Sequence, residues 1–362
     1  VNEGVARWQL ATGTTLLEGW SRHLGRPFQF YFFVYLVVWS FIVAAGLMSA
    51  CGVAAHALVG GLSIGAWAIV HSLVALVLVL AGRYSVFETM MKALIGLMVL
   101  TLLGSVALIG PDLGAAWRGL IGPRIPAGSA TTLLSHMGGV GGSVTLLSYG
   151  YWIRERGWQG PARISDARID LAVGYALTGI FGVAMLLLAS KVLGGTGEGL
   201  PEGSRGLVAC AEAIGEVAQA RFGQGEAARL IFLVGVWGAV FTSTLGVWQG
   251  VPYLFADYLD AFRGRYDTDV DVKGRAYRGY LLYLALPPMV LLAFDRPIWV
   301  IKTYTVTSGL FMPFLAASLL WLNSRRQLVG GLRNRKVAVG LLILAMALFG
   351  LIAGRKLLDL FA

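Results

Sequence analysis

The stretch Ser135-His136-Met137-Gly138-Gly139-Val140-Gly141-Gly142-Ser143 decides how this chain is read. It lies inside an apolar segment, 129–152, long enough to span a bilayer. Gly138, Gly139, Gly141 and Gly142 are poor helix material, each costing about 1 kcal/mol relative to Ala. Within hydrocarbon the cost is greater, because every freed carbonyl or amide needs a partner. Broken helices at membrane depth are tolerated where the exposed backbone lines a cavity or grips a ligand, as in many secondary transporters. Small residues also allow close helix packing, which a lone pair of glycines would more often mean. Four glycines in five residues, with Ser143 and Thr145 beside them and the apolar run resuming at once, favour a true interruption and hence an ion or substrate site.

The rest of the chain supplies a membrane setting. It is 57% hydrophobic and 13% charged, with mean hydropathy +0.72, whereas a soluble protein carries about 25% charged residues. The expected class is an all-α polytopic membrane protein. Apolar segments fall at about 28–55, 62–82, 86–110, 129–152, 170–193, 228–249, 278–294, 298–322 and 334–358, or about nine full spans, with 1–10 as the foot of another. Residues 14–25, with Leu16, Leu17, Trp20 and Leu24 on one face, predict an amphipathic helix lying at the interface.

The net charge of +10 has a topological explanation and does not point to nucleic acid. Alternate loops hold roughly two-thirds of the basic residues, in groups around Arg7–Arg26, Arg83–Lys92, Arg154–Arg168, Arg263–Arg278 and Arg325–Lys336. This set is expected to face the cytoplasm. The opposite set contains a long acidic loop, 194–227, with Glu198, Glu202, Glu212, Glu216 and Glu226. The two cysteines, Cys51 and Cys210, form no zinc pattern, and two unpaired thiols are expected rather than a bridge.

Other motifs carry less. The run from Asp267 to Gly274 resembles a calcium loop but has Val272 at the glycine position and Arg278 at the bidentate position, so it reads as a solvated loop. No Walker A motif or hydrolase pattern is present, and the glycine run lacks a βαβ context, so no enzyme and no nucleotide cofactor is expected. His136 abuts the break and can ligate a metal or relay protons. His71 reads as a neutral, hydrogen-bonded packing residue. Glu3, Glu88 and Asp170 sit near span ends, where ion pairs with nearby Arg and Lys suffice, and Lys302 reads as snorkelling.

Three blocks together resemble the natural resistance-associated macrophage protein (Nramp) family of divalent-metal transporters. They are Glu3-Gly-Val-Ala-Arg7 through Thr12-Gly13 to Glu18; the glycine break followed by Ser148-Tyr-Gly-Tyr151-Trp-Ile-Arg-Glu-Arg-Gly157; and Gly235-Val-Trp-Gly through Thr242-Ser243 to Gly246. The resemblance runs over essentially the whole chain. It implies an inverted-repeat (LeuT-like) transporter fold of about eleven helices, whose broken first and sixth helices form the site. It further implies that this chain opens at the end of the second helix, without the broken first helix and its metal ligands.

The departures from the family pattern bear on the cargo. Where manganese and iron transporters of the family have Met-Pro-His, this chain has Val140-Gly141-Gly142. A thioether is a soft ligand that selects transition metals, and its loss disfavours them. Family acidic positions in the third helix correspond to Gly46 and Ser49, and the tenth-helix glutamine to a position near Thr305. This pattern resembles the Nramp-related magnesium transporter branch, which implies hard-cation transport with weak or no proton coupling.

The expectation is therefore a single transmembrane transporter domain over 1–362, multi-pass in a bacterial inner membrane. It would move a divalent cation, Mg2+ ahead of Mn2+, by alternating access. Expected metal contacts are Met137, Gly138, Gly139, Val140, Ser143 and Thr305, with Gly141 and Gly142 as hinge and His136 and Thr145 as further polar contacts. The expected partners are the divalent ion and the lipid bilayer. The competing readings are a transport-inactive sensor or scaffold of the same family and, less favoured by the blocks, an amino-acid transporter.

Overall fold

The computed structural model describes residues 1–81, 84–122, 144–193, 204–266, 270–294 and 296–361; residues 84–86, 191–193, 204, 297, 302, 305–306 and 352–361 are described as backbone alone. The expected site residues His136, Met137, Gly138, Gly139, Val140, Gly141, Gly142 and Ser143 lie outside the described residues. Among the described residues the regular structure is helical throughout.

Helix α1 (Asn2–Thr12) stops at Gly13, whose φ of 72° lets its N–H bond back to the Gln9 carbonyl. Thr15 then caps α2 (Leu16–His23), its hydroxyl accepting the Glu18 N–H. The long α3 (Arg26–Val59) follows, then α4 (Ile64–Ala81), α5 (Tyr84–Ile109) and the short α6 (Leu113–Ile121). Beyond the undescribed stretch, a 3-10 turn (Val144–Leu147) leads into α7 (Ser148–Glu155). After it come α8 (Ile164–Leu193), α9 (Ser204–Phe222) and α10 (Gly225–Phe262). The chain ends with α11 (Arg275–Ala285), a 3-10 segment (Pro287–Phe294), α12 (Pro297–Gly309), α13 (Phe311–Asn323), α14 (Arg326–Val329) and α15 (Lys336–Phe361).

Among the described residues, six helical segments are long and apolar enough to cross a membrane, and a seventh is a pair around Leu332 bent by 113°. The most enclosed are α3 and α10, which pack against each other and against most other elements. Their large side chains, Phe32, Trp39, Met48, Phe232 and Trp248, are fully buried. The outer helix α8 instead shows Ile169, Val173, Ile180, Val183 and Leu186 on its surface, as a lipid-facing span should.

His71 ties α4 to α10 as a neutral packing group. Trp237 Nε1 donates to His71 Nε2 at 2.8 Å, so that nitrogen is the acceptor and carries no proton. Nδ1 lies 2.7 Å from the Trp67 carbonyl and is the donor. A second proton would destroy the tryptophan bond.

The five basic loops meet at one end of the bundle. Arg22 lies over the Tyr266 ring, Arg168 pairs with Glu3 and Arg156 reaches both Glu88 and Asp170. Arg7 Nη1 donates to the Leu332 carbonyl. Glu3, Glu88 and Asp170 are thus ion-paired at span ends, as their sequence positions suggest.

Four expectations change. The 14–25 helix does not rest its apolar face on the membrane surface: Leu16, Leu17, Trp20 and even Glu18 are buried in protein, against α10 and the aromatic group Phe28, Phe32 and Phe314. The 194–227 loop contains the 19-residue helix α9, with Cys210 buried against α5, α8 and α10 and its thiol pushed up by that burial. Sequence reading missed α9 because its acidic residues lower its hydropathy below that of a span. The 298–322 segment is two helices meeting at Leu310. Pro313 is the cause, since it lacks the N–H that the Gly309 carbonyl would accept. Likewise Pro287 and Pro288 turn the second half of the 278–294 segment into a 3-10 coil. Cys51 and Cys210 are both free thiols.

Candidate functional site

The glycine stretch is visible at its exit. Val144–Leu147 forms a tight 3-10 turn, with Thr145 half-buried upon it, and α-helix begins only at Ser148. A 3-10 turn inside a span often marks a hinge. The helix it leads into is short, and tertiary contacts must hold it.

Those contacts centre on one buried carboxylate. Asp257, on the inner part of α10, is 2% exposed. Its Oδ2 accepts the Tyr151 hydroxyl at 2.8 Å and the Thr15 hydroxyl at 2.7 Å. One aspartate thus joins α2, α7 and α10. Arg154, one turn after Tyr151, lies 3.8 Å from the carboxylate of Glu18, itself 1% exposed. Burying two carboxylates is costly without hydrogen bonds and a counter-charge, and Thr15, Tyr151 and Arg154 provide them.

The Glu3–Glu18 block builds this anchor from the other side. The turn at Gly13 and the Thr15 cap aim α2 at α7, and Trp8 Nε1 donates to the Thr15 carbonyl at 3.0 Å. Gly19 lies flat against the Trp8 ring, so close that any Cβ would overlap it. Glu3 lies 3.0 Å from Arg7 and 2.9 Å from Arg168. Small residues then bring α7 onto its neighbours: Gly250 of α10 faces Ser148, where a Cβ would stand 2.8 Å from the hydroxyl. Ser148 Oγ is buried with no hydrogen-bond partner among the described residues.

Beside α7 a cavity of about 480 Å3 opens between α5 and α8, with Glu88, Lys92, Arg156 and Asp170 at its polar rim and Phe87, Met91 and Trp152 among its apolar walls.

Near the middle of α3, its contacts with Tyr304, Thr307 and Ser308 of α12 involve no charged side chain among the described residues. Gly46 receives the Tyr304 ring; a Cβ there would stand 2.5 Å from its Cδ1. Trp39 Nε1 donates to Ser308 Oγ at 2.9 Å, and the Tyr35 hydroxyl donates to the Thr307 carbonyl. Both bonds fall at the helix break, and the second gives a backbone carbonyl there its partner. Ser49 is fully buried, its hydroxyl unpaired among the described residues, beside a cavity of about 10 Å3 that Arg296 also lines. That volume suits a single water and no hydrated ion. Thr305 lies on α12 one residue beyond Tyr304; its side chain is outside the described residues. Among the described residues no group of three or more His, Cys, Asp or Glu is placed to hold a metal.

Of the expected site residues, the structure therefore locates Thr145 and the backbone of Thr305. Sequence reading gave no role to Asp257 and Tyr304, and named Ser148 and Tyr151 only within a family block. An aspartate between Ala256 and Tyr258 in an apolar helix was the available signal for the first.

The comparisons agree with this architecture. No curated protein matches the chain. Among solved structures, a histidine-to-alanine mutant of the Eremococcus coleocola manganese transporter superposes with a TM-score of 0.70 at 13% identity, over 97% of this chain and 75% of that one. A glutamate-to-glutamine mutant of the same transporter gives 0.65 at 12% identity, with the same coverage. The transporter in complex with an aromatic bis-isothiourea substituted compound gives 0.63 at 12%, again over 97% and 75%. At these identities the likeness concerns the fold, and it identifies this one as the inverted-repeat transporter architecture. The family model described as natural resistance-associated macrophage protein-like matches residues 1–359, and the chain belongs to that family.

Proposed function

We propose that this protein moves a divalent metal cation across the membrane by alternating access, with Mg2+ preferred over Mn2+ and with weak or no proton coupling. Membership of the family over residues 1–359 supports metal transport, and the fold is shared with a manganese transporter. The preference for a hard cation rests on Val140-Gly141-Gly142, which lacks the soft thioether that would favour a transition metal over Mg2+. Met137, Gly138, Gly139, Val140, Ser143 and Thr305 are the proposed contacts. Gly141 and Gly142 are the proposed hinge, and His136 and Thr145 are further polar contacts. In this reading the carbonyls at the end of the outer half-helix present negative dipole to the ion.

The observation that carries weak proton coupling is the Gly46–Tyr304 contact. An acidic proton carrier at position 46 would have no room while the Tyr304 ring occupies that space. The proposed localisation is a bacterial inner membrane, with the basic end in the cytoplasm.

The test is uptake by the full-length protein in liposomes, comparing Mg2+, Mn2+ and Ca2+. Saturable Mg2+ entry exceeding Mn2+ entry is expected. Preferential Mn2+ entry would overturn the preference. No entry of any divalent ion would favour the sensor or scaffold reading, which the lack of helix-three acids also accommodates.

A further inference from the structure

A second cavity, of about 190 Å3, lies at the basic end between the last turn of α4 and the first turns of α11. Its two walls differ in kind. One consists of Leu78, Val79, Leu80 and Phe87; the other presents Lys273 and Arg278. Arg275 stands one turn before Arg278 on the same helix face. Among the described residues, Lys273, Arg275 and Arg278 make no ion pair, although most basic side chains around α7 do.

Among the described residues, the carboxylates nearby accept hydrogen bonds from neutral donors. Glu155, also on the cavity wall, accepts the Tyr253 hydroxyl at 2.9 Å. Asp271 caps its own turn, its Oδ1 accepting the Lys273 N–H at 2.9 Å. Glu155 and Asp271 keep their charge, so Lys273, Arg275 and Arg278, three cations against two carboxylates, leave the mouth one positive charge in excess among the described residues.

The apolar wall continues along the outside of the bundle. Val70, Leu73, Val74 and Val77 of α4 are exposed at helical spacing and lead down to Leu78 and Leu80. This stripe is a track along a membrane-spanning helix, and it ends where the cations begin. A free phosphate would use only the cations, and a neutral lipid only the track.

We propose that this slot binds the headgroup of an anionic phospholipid. Lys273, Arg275 and Arg278 would hold the phosphate, and one acyl chain would lie along the Val70–Leu80 face of α4. Basic pockets between spans at the cytoplasmic side suit such headgroups. The consequence is a lipid joining the α4–α5 hairpin to the α10–α11 hairpin.

Native mass spectrometry of the detergent-purified full-length protein tests this, with phosphatidylglycerol and phosphatidylcholine of identical chains as probes. Retained phosphatidylglycerol should exceed phosphatidylcholine. The triple variant K273Q/R275Q/R278Q should lose about tenfold in retention, while R325Q/R326Q/R333Q, with the same loss of charge elsewhere on that end, should retain it. Leu78→Ser with Leu80→Ser should also reduce retention. Equal retention of both lipids, equal loss in both triple variants, or displacement of the lipid by millimolar glycerol phosphate would each overturn the proposal, the last by pointing to a site for the soluble anion. Should the triple variant fold poorly, single R278Q and the glycerol phosphate competition decide between the same outcomes.

Discussion

At the basic end of the bundle, Thr15, Tyr151, Arg154, Glu18 and Asp257 hold three helices together with buried charge. Halfway along α3, Gly46, Trp39 and Tyr35 meet Tyr304, Ser308 and Thr307 with close packing and neutral hydrogen bonds alone. Both regions are largely buried. The difference assigns them different work. A charged clamp is strong only in one geometry, so it fixes the inner half-helix after the break. A neutral, close-packed face has no group among the described residues that must stay solvated, and in the proposed function it offers a cation no competing carboxylate.

The sharpest way to break the comparison is at Asp257. Asp257→Ala removes the acceptor shared by Thr15 and Tyr151 and leaves Arg154 with Glu18 alone. It should destabilise the protein by about 3 kcal/mol, read as a lowered melting temperature in detergent, with Asp257→Asn losing less. At mid-depth the corresponding test is steric. Gly46→Val should cost about 2 kcal/mol by displacing Tyr304, and Tyr304→Ala should restore most of it in the double variant. Additive losses would mean that the two residues do not touch.

Smaller effects sharpen the contrast. Trp39→Phe and Ser308→Ala should each cost about 1 kcal/mol in thermal melting, and the double variant little more than either, because they share one hydrogen bond. Arg168→Gln, which breaks an ion pair more than half exposed on its basic side, should change stability by less than about 0.5 kcal/mol. If Arg168→Gln proved as damaging as Asp257→Ala, burial would not be what distinguishes the clamp.

Much of this was legible in the chain itself. Long apolar runs marked α3, α4, α5, α8 and α10, because a span needs length and apolarity and little else. The grouping of Arg and Lys into alternate loops matches the gathering of those loops at one end. His71 could be read as a packing residue from its lack of an acidic neighbour. Helix α9 could not be seen as a helix by hydropathy, since Glu212 and Glu216 make it look like a loop. Thr15 and Asp257 are 242 positions apart, and nothing local in either segment announces the other. The burial of Leu16, Leu17 and Trp20 was equally hidden, because an amphipathic face looks the same whether lipid or protein covers it. Tyr304 was passed over because α12 was read as an uninterrupted span, although Pro313 marked the break.

In the proposed function, the path past α3 carries a hard divalent cation without carrying protons. Liposomes containing the full-length protein and a pH-sensitive dye, given external Mg2+ under an inward proton gradient, test it most directly. Mg2+ should enter at a rate independent of the gradient, with no matching acidification inside. Divalent entry that rises with the gradient and acidifies the lumen in proportion would contradict the account.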